Sequence, residues 1–274
     1  MKSGTTTLFD LLALHPSICP AKNKEPGFFA FEDRWAEGLG WYDSLFAFDQ
    51  TKHKFRMEAS TDYSKQPFIG NVVERLKSIP HANYKIIYII RNPLRRIESH
   101  AKHVQICQHQ LGQRKSPRRD HSLDHGISPV NLATSRYALQ LEAYRDFFLA
   151  GDLLILNFED MTKNHRRTIT SVCQFLGLPD HNPPEKHSNS AKEKKALSQT
   201  LTSIRALAHQ TGLTRLLPRR LKKAVVANLQ RPIKIPGRFR LNPDEELQLM
   251  KEFEADKSIL ARQYSHSVEW FTND

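Results

Sequence analysis

The stretch YKIIYIIRNPLRRIESH, residues 84–100, decides the fold class. Its first half is a continuous apolar run rich in β-branched residues, which is typical of a strand buried on both faces. Pro93 follows closely and suits the first turn of a helix, which we predict from Pro93 to about Gln110. A buried strand that leads directly into a helix indicates an α/β protein.

Segments with strand and helix patterns alternate on both sides of this stretch. We predict helices over 5–14, 68–79 and 131–149 and a helix that ends at Gly177, with strands at KFRMEAS (54–60) and DLLILNF (152–158). This alternation predicts a three-layer α/β fold around a central, mainly parallel sheet.

The C-terminal third has a different character. Residues 180–240 are rich in Pro, Asn, Lys and Arg and show no clear strand, and we interpret about 185–240 as a basic, variable insertion in a single domain spanning 1–274. A last amphipathic helix is predicted from Pro243 to about Tyr264, with Asn242 as its N-cap and acidic residues in its first turn.

The composition limits the cellular setting and the binding partners that we expect for this protein. The formal charge of +12 points to anionic partners: nucleic acid, a nucleotide, an acidic glycan or a lipid surface. The apolar runs are too short to span a membrane, and no signal peptide is visible. The three cysteines have no metal-like spacing, so we expect a reducing, cytoplasmic setting without a disulfide framework.

The opening loop KSGTTT, residues 2–7, runs into the first helix and has the features of a phosphate cradle. Free backbone amides and the helix dipole favour an anion, Gly4 allows close approach, and Lys2 adds a positive charge. The alternative, that Ser and Thr simply cap a surface helix while Lys2 is solvated, has equal weight at this point.

The loop does not match a Walker A motif, because its lysine precedes the glycine. The strand at 85–90 ends in Arg91, a cation at the position where a magnesium-binding carboxylate would be needed. These residues predict a P-loop-like site in which cations and amides hold the anion, with no metal.

Several motifs then occur in order: KSGTTTL, LALHP, KEPGFF, GLGWY and IIRNPLRRIESH. Together they resemble the PAPS-dependent sulfotransferases, and most of all the branch of heparan sulfate glucosamine N- and 3-O-sulfotransferases with its bacterial relatives. The resemblance implies that the 5′-phosphosulfate of 3′-phosphoadenosine 5′-phosphosulfate (PAPS) is bound by the first loop and its 3′-phosphate by the strand-end motif. The residues so implied are Lys2, Ser3, Gly4, Thr5, Thr6, Thr7, Arg91 and Ser99.

The resemblance also implies the catalytic residues. Lys2 would neutralise the bridging oxygen as the sulfuryl group departs, and Glu25 would be the general base on the acceptor. Lys22 and Lys24 are expected beside this carboxylate. The alternatives are that Glu25 is an ordinary exposed loop residue and that His100 is the base.

The sequence departs from the family pattern at two places. Ala59 stands where heparan sulfate enzymes often carry lysine, so their glycan preference is not transferred, and the acceptor is expected to be a carbohydrate or glycolipid only in general terms. The family also places a central strand before the phosphate loop. We therefore expect a sheet that lacks its first strand.

Other interpretations remain open. A kinase-like P-loop enzyme would prefer ATP, and a non-catalytic basic protein would bind anions with a steep salt dependence. The ordered motifs disfavour nucleic acid as the partner. Arg95 and Arg96 could form a solvated helix face, and residues 213–229 could form a basic amphipathic helix that contacts a membrane surface.

Overall fold

A computed structural model describes residues 2–110, 127–183, 195–197, 230–232, 240–266 and 270. The helices are α1 (Thr5–Leu12), α2 (Glu32–Trp35), α3 (Gly38–Ser44), α4 (Val72–Ser78), α5 (Pro93–Gln110), α6 (Pro129–Ala133), α7 (Tyr137–Glu142), α8 (Arg145–Leu149), α9 (Phe158–Lys163), α10 (His165–Leu176) and α11 (Pro243–Tyr264). The strands are β1 (Ile18–Pro20), β2 (Phe55–Met57), β3 (Ile86–Ile90), β4 (Leu153–Asn157), β5 (Lys195–Leu197) and β6 (Gln230–Pro232).

The strands of the α/β core pair in parallel, as predicted. β3 pairs with β4 in a register that sets Ile86 opposite Leu153, and β1 pairs with β2. The α/β class is therefore confirmed. The described strands do not form one central sheet, however, because the two parallel pairs are separate ladders. The lack of a first strand stays a prediction.

Side-chain alternation along the β3–β4 pair creates the layers. Ile87 and Ile89 face a cluster built on α1 and α10, while Ile90 faces the opposite cluster with Phe28 and Tyr137. Successive residues of a strand point to opposite faces, so each face of the pair is covered by its own apolar layer. The first of these clusters also includes residues of β1 and β2, so α1 packs against both ladders.

The predicted helix over 131–149 is wrong in its continuity, because α6, α7 and α8 divide it. The carbonyl of Asn131, needed to continue α6, accepts from the guanidinium of Arg96 at 3.1 Å. The carboxylate of Asp256 in α11 accepts from the amide of Ala138 at 3.1 Å and so provides a start for α7. Tertiary contacts therefore outweigh a helical pattern here.

The prediction that 185–240 contains no strand is also wrong, because β5 and β6 pair there in antiparallel fashion. The rest of that insertion, including the proposed membrane helix at 213–229, lies outside the described residues. Within the described part of the chain, no helix has the length and apolar character needed to cross a membrane.

The last helix agrees closely with its prediction. The Asn242 side chain accepts from the amide of Glu245, and the Glu245 carboxylate accepts from the amide of Asn242, which is a complete capping box. Its buried face includes Phe253 and Leu260, which pack into separate apolar clusters.

Candidate functional site

The loop before α1 leads into a helix whose first turn has no side-chain cap. Gly4 is the N-cap residue with φ +77°, and no side chain among the described residues caps the first amides of α1. Lys2 also has a positive φ of +66°. Simple capping by Ser or Thr is therefore not what this loop does. A helix start without a side-chain cap is a favourable place for an external anion.

Gly4 is required for steric reasons as well. A Cβ atom at this position would lie 2.3 Å from Cε of Met161 and 2.9 Å from the ring of Phe158, both in α9. Met161 is itself almost fully buried, so it has little room to move aside. The loop thus packs directly on α9, and only glycine allows this approach.

Arg91 at the end of β3 contacts the same loop. Its Nη1 donates to the carbonyl of Lys2 at 2.7 Å, and its guanidinium carbon lies 4.4 Å from the ring centroid of Phe158. Its Nε is buried and has no hydrogen-bond partner among the described residues. A buried, unsatisfied guanidinium N–H beside a helix start that has no side-chain cap suits an anionic ligand.

The turn after Arg91 is tightly fixed. The amide of Arg91 donates to the Tyr137 hydroxyl at 3.3 Å, and the amide of Asn92 donates to Glu159 at 3.0 Å. The Asn92 side chain accepts from the first amides of α5, from Leu94 at 3.0 Å and from Arg95 at 3.2 Å. These contacts fix the backbone of the turn from which the Arg91 side chain extends. Ser99 lies further along α5 and is half-buried.

Arg96 is buried on α5, and His100, one turn further along, is half-buried with its Nδ1 atom fully buried. The solvated interpretation of Arg96 is wrong: it is only 2% exposed, and it donates to Asn131, Thr134 and Ser135, all uncharged. Burial, aided by Arg96, lowers the pKa of His100 to about 3. His100 is therefore neutral at physiological pH, and such a low pKa makes it a weak general base.

Glu25 lies in the loop after β1 and is 42% exposed. Its carboxylate accepts from the ammonium of Lys24 at 2.7 Å and from the Thr61 hydroxyl at 3.2 Å. The same ammonium lies 3.3 Å from Thr5 Oγ1, so Lys24 links Glu25 to the start of α1. Lys22, by contrast, donates to the carbonyl of Ser44 at 2.7 Å, and the expectation that both lysines flank Glu25 holds only for Lys24.

A half-buried carboxylate, that of Glu58, holds the Glu25 loop in place. Glu58 accepts from the hydroxyls of Ser60 (2.6 Å), Tyr63 and Tyr42 (3.3 Å). Ser60 and Tyr63 in turn accept from the backbone amides of the 25–29 loop, at Gly27 (2.9 Å) and Phe29 (3.3 Å). Burial raises the pKa of Glu58, against the effect of these hydrogen bonds. Glu58 is thus a positioning residue that connects β2 to the loop carrying Glu25.

The candidate site therefore joins the loop before α1, a half-buried arginine at a strand end and an exposed carboxylate. A model of the sulfotransferase domain matches residues 1–214 of this chain. The chain belongs to the sulfotransferase family.

Curated relatives of this sulfotransferase are distant in sequence. The bifunctional heparan sulfate N-deacetylase/N-sulfotransferase 1 of Caenorhabditis briggsae is 24% identical over 209 residues, covering 70% of this chain and 23% of the relative. The heparan sulfate glucosamine 3-O-sulfotransferase 5 of Mus musculus is 26% identical over 186 residues, covering 65% of this chain and 51% of the relative. The chain thus spans about half or less of the length of these relatives.

The fold of this sulfotransferase also has a solved counterpart. A sulfotransferase from Alicyclobacillus acidocaldarius superposes with a TM-score of 0.60 at 18% identity, covering 97% of this chain and 93% of the other. At this level of identity the likeness concerns the fold alone.

Sequence reasoning missed or misjudged several residues of the candidate site. Lys24 was expected only as a neighbour of Glu25, and its contact with Thr5 joins loops 19 residues apart. Glu58 and Tyr63 had a signal in their spacing, E-x-x-x-x-Y, but nothing in it indicated that the two side chains are hydrogen-bonded to each other. Among the described residues, no group of three or more His, Cys, Asp or Glu side chains is arranged to hold a metal ion.

Proposed function

We propose that this sulfotransferase uses PAPS as its donor and transfers the sulfuryl group, by in-line displacement, to a hydroxyl or amine of a carbohydrate or glycolipid acceptor. The observation that carries the proposal is the side chain of Arg91. It donates to the carbonyl of Lys2, and its buried Nε has no partner among the described residues. A guanidinium fork in this position offers two directed donors to a phosphate group next to the loop.

The residues of the site divide into two groups. Lys2, Ser3, Gly4, Thr5, Thr6 and Thr7 would hold the phosphosulfate, and Arg91 and Ser99 would hold the 3′-phosphate. When bound, PAPS supplies an activated sulfuryl group on a phosphate leaving group. Ser3 is only 2% exposed, so the part of the loop that it occupies is shielded from water, where charge interactions are stronger.

Two side chains would carry the reaction. The Lys2 ammonium stabilises negative charge on the bridging oxygen, which develops in the transition state rather than in the ground state. The Glu25 carboxylate accepts the proton of the attacking hydroxyl or amine. Its 42% exposure supports this role, because an acceptor approaching from solvent can reach it.

The acceptor class is proposed from the relatives and the charge. Two relatives are named for heparan sulfate, an acidic glycan, and the +12 charge of this chain suits an acidic acceptor. Because one relative is an N-sulfotransferase and the other a 3-O-sulfotransferase, both amine and hydroxyl acceptors belong in the assay.

The donor proposal is tested by thermal shift with 3′,5′-adenosine bisphosphate (PAP), AMP and Mg-ATP. We expect PAP alone to raise the melting temperature strongly, without magnesium, and we expect Arg91→Ala to abolish the shift. Arg95→Ala is the matched control, because Arg95 is exposed and pairs with Glu98. A folded protein that ignores PAP would contradict the proposal. A preference for Mg-ATP would favour a kinase-like enzyme instead.

The acceptor proposal is tested by transfer of labelled sulfate from PAPS. The panel contains N-desulfated and 6-O-desulfated heparin oligosaccharides, a neutral glycan, a glycolipid and a simple phenol. Labelling of a glycan or glycolipid and not of the phenol would support the proposed class. Labelling of the phenol alone would contradict it while leaving the donor proposal intact.

A further inference from the structure

The two oxygens of the Glu25 carboxylate have different partners. Oε1 accepts from the Lys24 ammonium at 2.7 Å, and Oε2 accepts from the Thr61 hydroxyl at 3.2 Å. Lys24 is the neighbour of Glu25 in the chain, whereas Thr61 lies 36 positions further on. The carboxylate is therefore held from two separate segments, one at each oxygen.

The second contact restricts a motion that the first leaves open. The last torsion of a glutamate side chain has no sharply preferred angle, so a carboxylate held at one oxygen can still turn about that oxygen. A donor on the other oxygen fixes the carboxylate plane as well. A carboxylate has about four lone-pair sites, so the hydrogen bonds from Lys24 and Thr61 leave room for the proton of an acceptor.

The Thr61 hydroxyl is itself confined by the backbone that carries it. Thr61 opens a short 3₁₀ turn, Thr61–Tyr63. The hydroxyls of Ser60 and Tyr63, on either side of Thr61, both donate to the Glu58 carboxylate. A threonine hydroxyl lies only one torsion from the backbone, and β-branching restricts that torsion. Fixing the turn therefore leaves the hydroxyl few positions, and the one that it occupies reaches the candidate base.

We propose that Thr61 is a positioning residue of the transfer reaction, which orients the Glu25 carboxylate towards the attacking hydroxyl or amine. The proposal rests on the function proposed above, in which Glu25 is the base. In that reaction the acceptor oxygen or nitrogen forms a bond to sulfur, the bond between sulfur and the bridging oxygen breaks, and the acceptor proton passes to Glu25. Proton transfer depends on geometry, so a carboxylate that can turn slows this step without weakening donor binding.

Thr61→Val tests this role, because it removes the hydroxyl and keeps the shape of the side chain. The kcat and KM for transfer from PAPS to the best acceptor are measured, and the PAP-induced thermal shift verifies that the variant is folded. We expect kcat to fall about tenfold and the KM for PAPS to change by less than about twofold. Thr61→Ser keeps the hydroxyl and should recover most of the lost rate. Thr61→Ala serves the same purpose if valine prevents folding.

Two comparisons separate orientation of the base from a general structural effect. Thr51→Val is the matched control, since the Thr51 hydroxyl also donates to a carboxylate, that of Asp49 at 2.7 Å, in an exposed turn before β2. This control should change neither constant. Thr61→Val is also made in the Glu25→Gln background, which has no base to orient. There it should lower the residual rate by less than about twofold.

The outcomes for Thr61 and for the proposed function are distinct. A wild-type kcat in Thr61→Val would overturn the role of Thr61. So would a loss of the same size in Thr61→Ser, or a loss of the same size in the Glu25→Gln background. Absence of transfer from PAPS by the wild type, or a wild-type rate in Glu25→Gln, would instead overturn the proposed function on which this role depends.

Discussion

The guanidinium of Arg91 donates a 2.7 Å hydrogen bond to the backbone carbonyl of Lys2, although the two residues are 89 positions apart. This contact brings the end of β3 against the loop that opens α1. Phe158 completes the arrangement, because it packs on the Arg91 guanidinium and also fills the space beside Gly4. The candidate donor site thus lies where the end of β3, α9 and the loop before α1 meet.

Replacement of Gly4 tests how closely the loop packs on α9. Gly4→Ala introduces a Cβ at positive φ and 2.3 Å from Met161. We expect it to lower the free energy of unfolding by about 2 kcal/mol or more and to abolish the PAP-induced thermal shift. Urea denaturation and thermal shift are the measurements.

Gly38→Ala is the control for Gly4→Ala. Gly38 has almost the same φ, +75°, but a Cβ there meets no atom within 4 Å. Gly38→Ala should lower the free energy of unfolding by about 1 kcal/mol, because it introduces backbone strain alone, and it should leave PAP binding unchanged. Equal effects of the two substitutions would show that contact with α9 does not require glycine at position 4.

Glu25→Gln separates catalysis from donor binding. Glutamine keeps the size of the side chain and a hydrogen bond to Lys24, but it cannot accept a proton from the acceptor. We expect transfer with the best acceptor to fall by roughly 10²- to 10⁴-fold, while the dissociation constant of PAP changes little. Transfer rates close to those of the wild type would exclude Glu25 as the base.

Glu58→Gln tests the hydrogen-bond network that supports the Glu25 loop. An amide cannot accept from every hydroxyl and amide that Glu58 serves, so we expect a loss of about 1–3 kcal/mol in the free energy of unfolding. The amides of Gly27 and Phe29 should also exchange hydrogen faster, because they donate to Ser60 and Tyr63. The exposed Glu37 provides the control, and Glu37→Gln should change stability by less than about 0.5 kcal/mol. Unchanged exchange at both loop amides would argue against the network.

The lowered pKa of His100 predicts that the free energy of unfolding depends on pH. Burial lowers its pKa from 6.5 to about 3 in the folded protein, so below pH 6.5 the unfolded chain binds a proton that the folded chain does not. The contribution of His100 to the free energy of unfolding is therefore lost as the pH falls from 6.5 towards 3. Between pH 7 and pH 5 this loss amounts to about 2 kcal/mol.

The measurement for His100 is the free energy of unfolding at several pH values. His100→Gln should flatten the curve between pH 5 and pH 7 relative to the wild type. His81→Gln, at an exposed histidine, should leave the curve unchanged. A slope that survives in His100→Gln would assign the pH dependence to other groups.

Local patterns predicted much of the fold correctly. The apolar run at 86–90, Pro93 at the start of α5, Gly177 after α10 and the Asn242 capping box are all features of neighbouring residues, and the structure has each of them. Patterns failed where distant groups compete for the backbone. The Arg96 guanidinium donates to the Asn131 carbonyl in α6, and the Asp256 carboxylate accepts from an amide at the start of α7. In both pairs the two residues are too far apart in the sequence for a local pattern to include them.

The sequence by itself determined the α/β class, the loop before α1, the cation at the end of β3 and, through the order of its motifs, the family. Tertiary structure alone decided that Arg96 is buried, that Glu58 supports the 25–29 loop and that Lys24, not Lys22, lies between Glu25 and Thr5. The physical reason is that propensity, capping and periodicity act over a few residues. Burial, pKa and the distance between charges depend on which remote segments pack together.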